Sequence, residues 1–157
     1  MVATITVVKY PRTDRRLGRC VEHDSRSWDF QARSVKKPPD IDVIWEDRAP
    51  VLDQWNLGGC VGWTGADILN TEIFKPVRDK CNAGAYFNDF NGKTFYHLST
   101  VNDSIVGIYP PDDTGSSGLG LAKALKKVGY VTSYNHVFAW NSYLTWIAKQ
   151  PLAVGTL

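Results

Sequence analysis

An α+β chain is what three helix-like segments and two short β-rich runs near the chain's ends predict. The helical patterns run from Cys60 to about Asn70, from Gly118 to Lys127, and from Asn141 or Ser142 to Lys149. The β signals are residues 2–8, Val-Ala-Thr-Ile-Thr-Val-Val, and the run from Leu152 to Leu157.

Taken in order, each element has a local reason. Residues 2–8 alternate and are β-branched, which suits a pleated strand. A polar, basic stretch from Lys9 to Lys37 follows, with Arg12, Arg15, Arg16 and Arg19 ahead of Glu22, Asp24 and Asp29, and Pro38-Pro39 makes a stiff exit. It reads as a solvated extension or as a propeptide-like clamp that crosses a cleft or packs on the domain. The first helix opens at Cys60 behind two glycines. Residues 74–117 are rich in Gly, Asn, Asp and Pro and predict long loops with short helix, with Tyr86, Phe87, Phe90, Phe95 and Tyr96 as an aromatic core. Leu119, Ala122, Leu125 and Val128 recur at helical spacing, and Gly129 supplies a stop. Tyr143, Leu144 and Ile147 share one face of the last helix, which Pro151 ends.

Bulk properties exclude several classes. With 157 residues, 43% hydrophobic and 12% aromatic, the chain has material for one real core. Its 18 basic and 16 acidic residues are mixed and leave a net charge of +2, which points to neither nucleic acid nor a membrane surface. No run approaches the ~18 apolar residues of a membrane span. Arg12, Asp14, Arg15 and Arg16 interrupt any signal-peptide pattern, so a cytoplasmic location is expected. Cys20, Cys60 and Cys81 are too few and too scattered for a disulfide framework or a zinc site, and nothing calls for a cofactor.

Cys60 stands apart because of its neighbours. In Gln54-Trp55-Asn56-Leu57-Gly58-Gly59-Cys60-Val61-Gly62-Trp63 the thiol sits at a helix N-terminus, where unpaired backbone N–H groups and the helix dipole favour a thiolate. This makes Cys60 the candidate nucleophile. The segment resembles the active-site stretch of papain-like cysteine peptidases, whose signature is C-G-[SA]-C-[WY]. Here Leu57 stands in place of the first Cys, Trp55 in place of a usual glycine, and the aromatic is Trp63 rather than Val61.

The resemblance extends over roughly 41–157 and implies an N-terminal extension or propeptide-like arm over 1–40, a helical domain over 41–135 and the truncated opening of a β-rich domain over 136–157. Asp42-Val43-Ile44-Trp45 is similar to the family's mature N-terminal segment, and Gly115-Ser116-Ser117-Gly118 occupies the place of its substrate-lining glycine pair. Ala122 to Val131 and Trp146 to Val154 look like the helix and the helix-to-strand passage that follow. It implies a thiol peptidase with Cys60 as nucleophile and the Gln54 amide with the Cys60 N–H as oxyanion hole. Gly58, Gly59, Trp63, Ser116, Ser117 and Gly118 would line the substrate. The partner His and Asn of the family lie about 130–150 residues after the Cys, which is past Leu157, so only the nucleophile half is in view. The same resemblance places the chain with small proteins of bacteria and their phages, acting in the host cytoplasm, on a peptide or protein substrate. An incomplete second domain would leave an unpaired edge at Val154 and Leu157 and implies self-association or a partner chain. The alternatives are a binding module without catalysis and a split enzyme completed by another chain.

Three imidazoles could serve Cys60: His23 in the extension, His97 in the middle and His136 near the domain boundary. Asp112-Asp113-Thr114-Gly115 resembles half of an aspartic-protease dyad but is equally a turn, and it lacks the terminal Glu of a calcium loop. Gly115 to Gly120 lacks the Lys and preceding strand of a phosphate loop.

Overall fold

A computed structural model describes residues 24–33, 37, 40 and 42–155. The expected strand over 2–8, Cys20, His23 and Leu157 lie outside the described residues. Five helices carry the rest: α1 (Cys60–Asn70), α2 (Lys75–Cys81), α3 (Asp89–Asn102), α4 (Gly118–Lys127) and α5 (Trp140–Ile147).

The α+β, papain-like expectation is overturned: among the described residues there is no sheet, and the β pairing consists of two isolated bridges, Gln31 with His136 and Asp47 with Thr71. Residues 152–155 form no strand. A β-branched run becomes a strand only when a partner satisfies its backbone, and no described segment pairs with this one.

α1 is the centre of the packing. It lies against α3, and α3 in turn lies against α4. Leu69 and Ala66 on α1, Phe95 on α3, and Leu121 and Leu125 on α4 bury themselves around Phe87. Trp63, Tyr96 and Tyr109 make a second buried cluster beside it. Backbone contact between α1 and α3 requires glycine: a Cβ on Gly62 would lie 2.2 Å from the Gly92 carbonyl oxygen and 2.5 Å from the Tyr96 nitrogen. A Cβ on Gly92 would strike the Trp63 ring at 2.9 Å.

α3 replaces much of the loop expected over 74–117. The Gly, Asn and Asp content that suggested turns partly serves its start. Asn88 caps the helix by accepting from Phe90 N and Asn91 N, while the Asn91 side chain accepts from Asn88 N. Gly92, unfavourable in a helix by propensity, is required by the crossing with α1.

The C-terminal end of α1 is closed by one buried cation. Arg78 on α2 is 2% exposed and its Nη1 donates to the carbonyls of Leu69, Asn70 and Thr71 at 3.0, 2.8 and 2.8 Å. Nη2 donates to Glu72 at 2.9 Å, and the guanidinium stacks over Tyr86. These carbonyls belong to the last turn of α1 and its cap, so the positive charge meets the negative end of the helix dipole. Next to it, fully buried Asn70 exchanges hydrogen bonds with the backbone of Phe87 at 2.9 and 2.8 Å.

The described part of the N-terminal extension packs on the molecule. Residues Ser25–Phe30 form a 3-10 helix capped by Asp24. Ala32 N donates to the His136 carbonyl and His136 N to the Phe30 carbonyl, while the rings of Trp28 and Phe138 stack at 4.0 Å. Farther on, Trp45 Nε1 donates to the Ile147 carbonyl at the end of α5 at 2.8 Å.

Removing the cation at the end of α1 strands its carbonyls without water. Arg78→Met is expected to lower unfolding stability by about 3 kcal/mol in urea titration, since an unmet buried polar group costs roughly 1–3 kcal/mol. Lys75→Met, on the exposed Lys75–Asp79 pair, is expected to change it by less than about 1 kcal/mol.

Candidate functional site

Cys60 opens α1, as its place after two glycines predicts, and is exposed. Gly59 is the N-cap and offers no side-chain hydrogen bond, so no side chain closes the first turn. Gly62 N donates to the Gly59 carbonyl. The N–H groups of Cys60 and Val61 make no hydrogen bond among the described residues, as orphan donors of a first helical turn.

The loop that delivers Cys60 is pinned at both ends by carboxylates. At the near end, Asp89 Oδ1 accepts from Asp53 N at 2.8 Å and from Trp63 Nε1 at 3.0 Å. At the far end, both oxygens of Asp113 accept from Gly58 N at 3.0 Å. The Tyr96 hydroxyl donates to the same carboxylate at 2.6 Å and accepts from Gly115 N at 2.9 Å. One phenol thus ties α3, the 113–115 turn and the Gly58-Gly59 pair together. Burial, and then the hydrogen bond to Asp113, push the Tyr96 hydroxyl well above the ordinary tyrosine range. Inside the loop, Trp55 adopts φ +50 with its N–H on Asp53, which turns the chain sharply.

Gln54 lies in this loop, half buried, with Nε2 donating to the Leu57 carbonyl at 3.1 Å. An amide nitrogen carries two hydrogens, so this bond fixes the side chain and leaves one donor for another acceptor.

The other expected site residues divide into two groups. Gly58 and the 113–115 turn are adjacent: a Cβ on Gly115 would lie 3.8 Å from the Gly58 carbonyl oxygen. From that turn the chain runs directly into Ser116, Ser117 and Gly118. Ser116 Oγ donates to Asp103, Ser117 caps α4 by accepting from Gly120 N at 3.0 Å, and Gly118 begins the helix, exposed. Gly59 and Trp63 are buried behind the site, where a Cβ on Gly59 would meet both the Trp63 and Tyr96 rings at 2.8 Å.

No hydrogen bond joins Cys60 to an imidazole among the described residues. His97 Nδ1 meets the Tyr109 carbonyl and, since a carbonyl only accepts, carries the proton there. His136 is held by the docked extension, with its ring on Phe138 at 4.3 Å. No cluster of three or more His, Cys, Asp or Glu side chains among the described residues could hold a metal, and no helix among them is long and apolar enough to cross a membrane.

Asp89, Asp113 and Tyr96 were not legible as site residues. Asp113 reaches Gly58 across 55 positions, and no short-range pattern encodes such a contact. The nearest signal was the Asp112-Asp113-Thr114-Gly115 turn itself, which marks the fold's return toward the loop.

No known protein family, no curated protein and no solved structure matches the chain.

The raised Tyr96 hydroxyl has a signed consequence. The folded state holds this proton more tightly than the unfolded chain, so the stabilisation is fully present below the unfolded tyrosine value of about 10 and is lost as pH rises beyond it. Urea midpoints are expected to fall between about pH 10 and pH 12, and Tyr96→Phe is expected to fall less steeply over that window while being about 1–2 kcal/mol less stable at pH 7.

Proposed function

We propose that the chain carries the nucleophile half of a cysteine peptidase site, acting on a peptide or protein in the cytoplasm. The observation that supports this most is the Cys60 thiol, exposed on an uncapped first turn of α1 and delivered by a loop held at both ends by Asp89 and Asp113. Rigid delivery of a nucleophile is what attack on a carbonyl requires.

The roles are those that the resemblance implies. Cys60 Sγ attacks the peptide carbonyl carbon, and the oxyanion that forms takes hydrogen bonds from the Cys60 N–H and the remaining Gln54 Nε2 donor. Collapse breaks the C–N bond and leaves a thioester, with the amine departing as it takes a proton from a general acid. Water then cleaves the thioester and restores the thiol. No described imidazole is bonded to Cys60, so the general acid and base are assigned to His23 of this chain, or to an imidazole on further polypeptide or on a second chain.

A binding module without catalysis is favoured by one observation, the absence of an imidazole bonded to Cys60 among the described residues. The two readings separate in one experiment. The chain is treated with a peptidyl vinyl sulfone, and Cys60 and Cys81 adducts are quantified by mass spectrometry beside turnover of a fluorogenic peptide amide. Labelling of Cys60 at least about 10-fold faster than Cys81, abolished in Cys60→Ser, supports a nucleophile site, and equal labelling of the two thiols overturns it. Selective labelling with turnover places the imidazole on this chain, and selective labelling without turnover is the result expected of a binding module or of a site completed by another polypeptide. Where turnover is measured, Gln54→Ala is expected to lower kcat by roughly 10²–10³, the usual worth of an oxyanion donor.

A further inference from the structure

A second concave site lies along α3 and owes nothing to Cys60. Phe90, Lys93, Thr94 and His97 fall at helical spacings of three and four, so they form one stripe along the outside of α3. Tyr109 and Pro110 stand opposite and complete a pocket of about 250 Å³. Its walls are mainly apolar: Phe90 is 76% exposed, and Tyr109 stacks its other side on Tyr96 at 4.8 Å, which makes the ring a rigid wall.

Two nitrogen groups give the pocket its polarity. Lys93 Nζ sits 5.9 Å from the centre of the Tyr109 ring, and no ion pair engages it among the described residues. Because His97 Nδ1 is committed to the Tyr109 carbonyl, the ring's orientation is fixed and Nε2 is the edge left for a ligand. Thr94 spends its hydroxyl proton on the Phe90 carbonyl at 2.9 Å and presents its methyl group. An apolar pocket with one mobile cation at its rim suits a carboxylate carried on an apolar group.

Surface beyond the pocket decides between a free acid and a chain. Val101 continues the α3 stripe one turn past His97, and Val106 and Ile108 precede Tyr109; these three are 44%, 93% and 47% exposed. Val101 thus carries the apolar stripe of α3 past the pocket.

We propose that this pocket binds the C-terminal residue of a peptide that ends in an apolar side chain, with its carboxylate on Lys93, its side chain between Phe90, Tyr109 and Pro110, and the preceding residues along Val101, Val106 and Ile108.

The test is fluorescence anisotropy of a labelled tetrapeptide, Gly-Gly-Ala-Phe, against the full chain, with the C-terminal amide of the same peptide and unlabelled 3-phenylpropionate as competitors. The free acid is expected to bind saturably and about 10-fold more tightly than the amide, a difference of one charge-assisted hydrogen bond. Lys93→Ala is expected to remove that preference and Lys93→Arg to keep it. Lys93 is exposed, so neither variant puts folding at stake. Equal binding of acid and amide, absence of saturation up to millimolar protein, or an unchanged preference in Lys93→Ala overturns the proposal. Displacement by 3-phenylpropionate as effective as by the unlabelled peptide overturns the peptide assignment in favour of a small aromatic acid. Cys60→Ser is expected to bind as the parent does, so failure here and failure of the thiol chemistry are read separately.

Discussion

The backbone contact of α1 with α3 at Gly62 and Gly92 is the constraint on which the rest of the molecule depends. At this separation neither helix tolerates a Cβ, so the two backbones touch directly and side chains fill only the flanks. Trp63 and Tyr96 are the side chains beside the contact, and both reach toward the loop that precedes Cys60. Core and candidate site are therefore built on one joint. A shift of α3 relative to α1 would move Asp89, Tyr96 and, through Tyr96, Asp113, which together hold that loop.

The polar groups of this joint act by completion rather than by number. Each of Asp89, Asp113, Asn70 and Arg78 accepts from or donates to backbone that would otherwise be unmet at a helix end or in a tight loop. Most backbone groups of a short loop find no partner within it, so these side chains do for residues 53–59 what a ladder does for a strand. Rigidity without regular secondary structure follows.

How much was legible in the sequence depended on the range of the signal. α1, α4 and the body of α5 follow from periodicity and from Gly129 and Pro151, which are local. α3 was hidden because its polar and glycine residues have reasons that lie elsewhere: Asn88 and Asn91 in the cap, Gly92 in the contact with α1. The strand signal after Pro151 overstated β structure over the described residues 152–155, because pairing depends on a partner that composition does not reveal. The helix start at Cys60 could be read because its signal spans only a few residues. Asp113 could not, because its meaning exists only once the 113–115 turn has come back to Gly58.

The docked N-terminal segment sets an order on folding. The contact of Ser142 with Arg33 spans 109 positions, and those of His136 with Phe30 and Ala32 nearly as many. Contacts so distant along the chain carry the largest loop-closure cost, whereas α1 to α4 are neighbours in sequence and can assemble on their own. A ribosome would therefore have released the whole helical core before residues 24–33 met their partners. The earliest-made stretch of the described chain would be the last to find its place, and until then the face of Phe138 that stacks on Trp28 would stand uncovered.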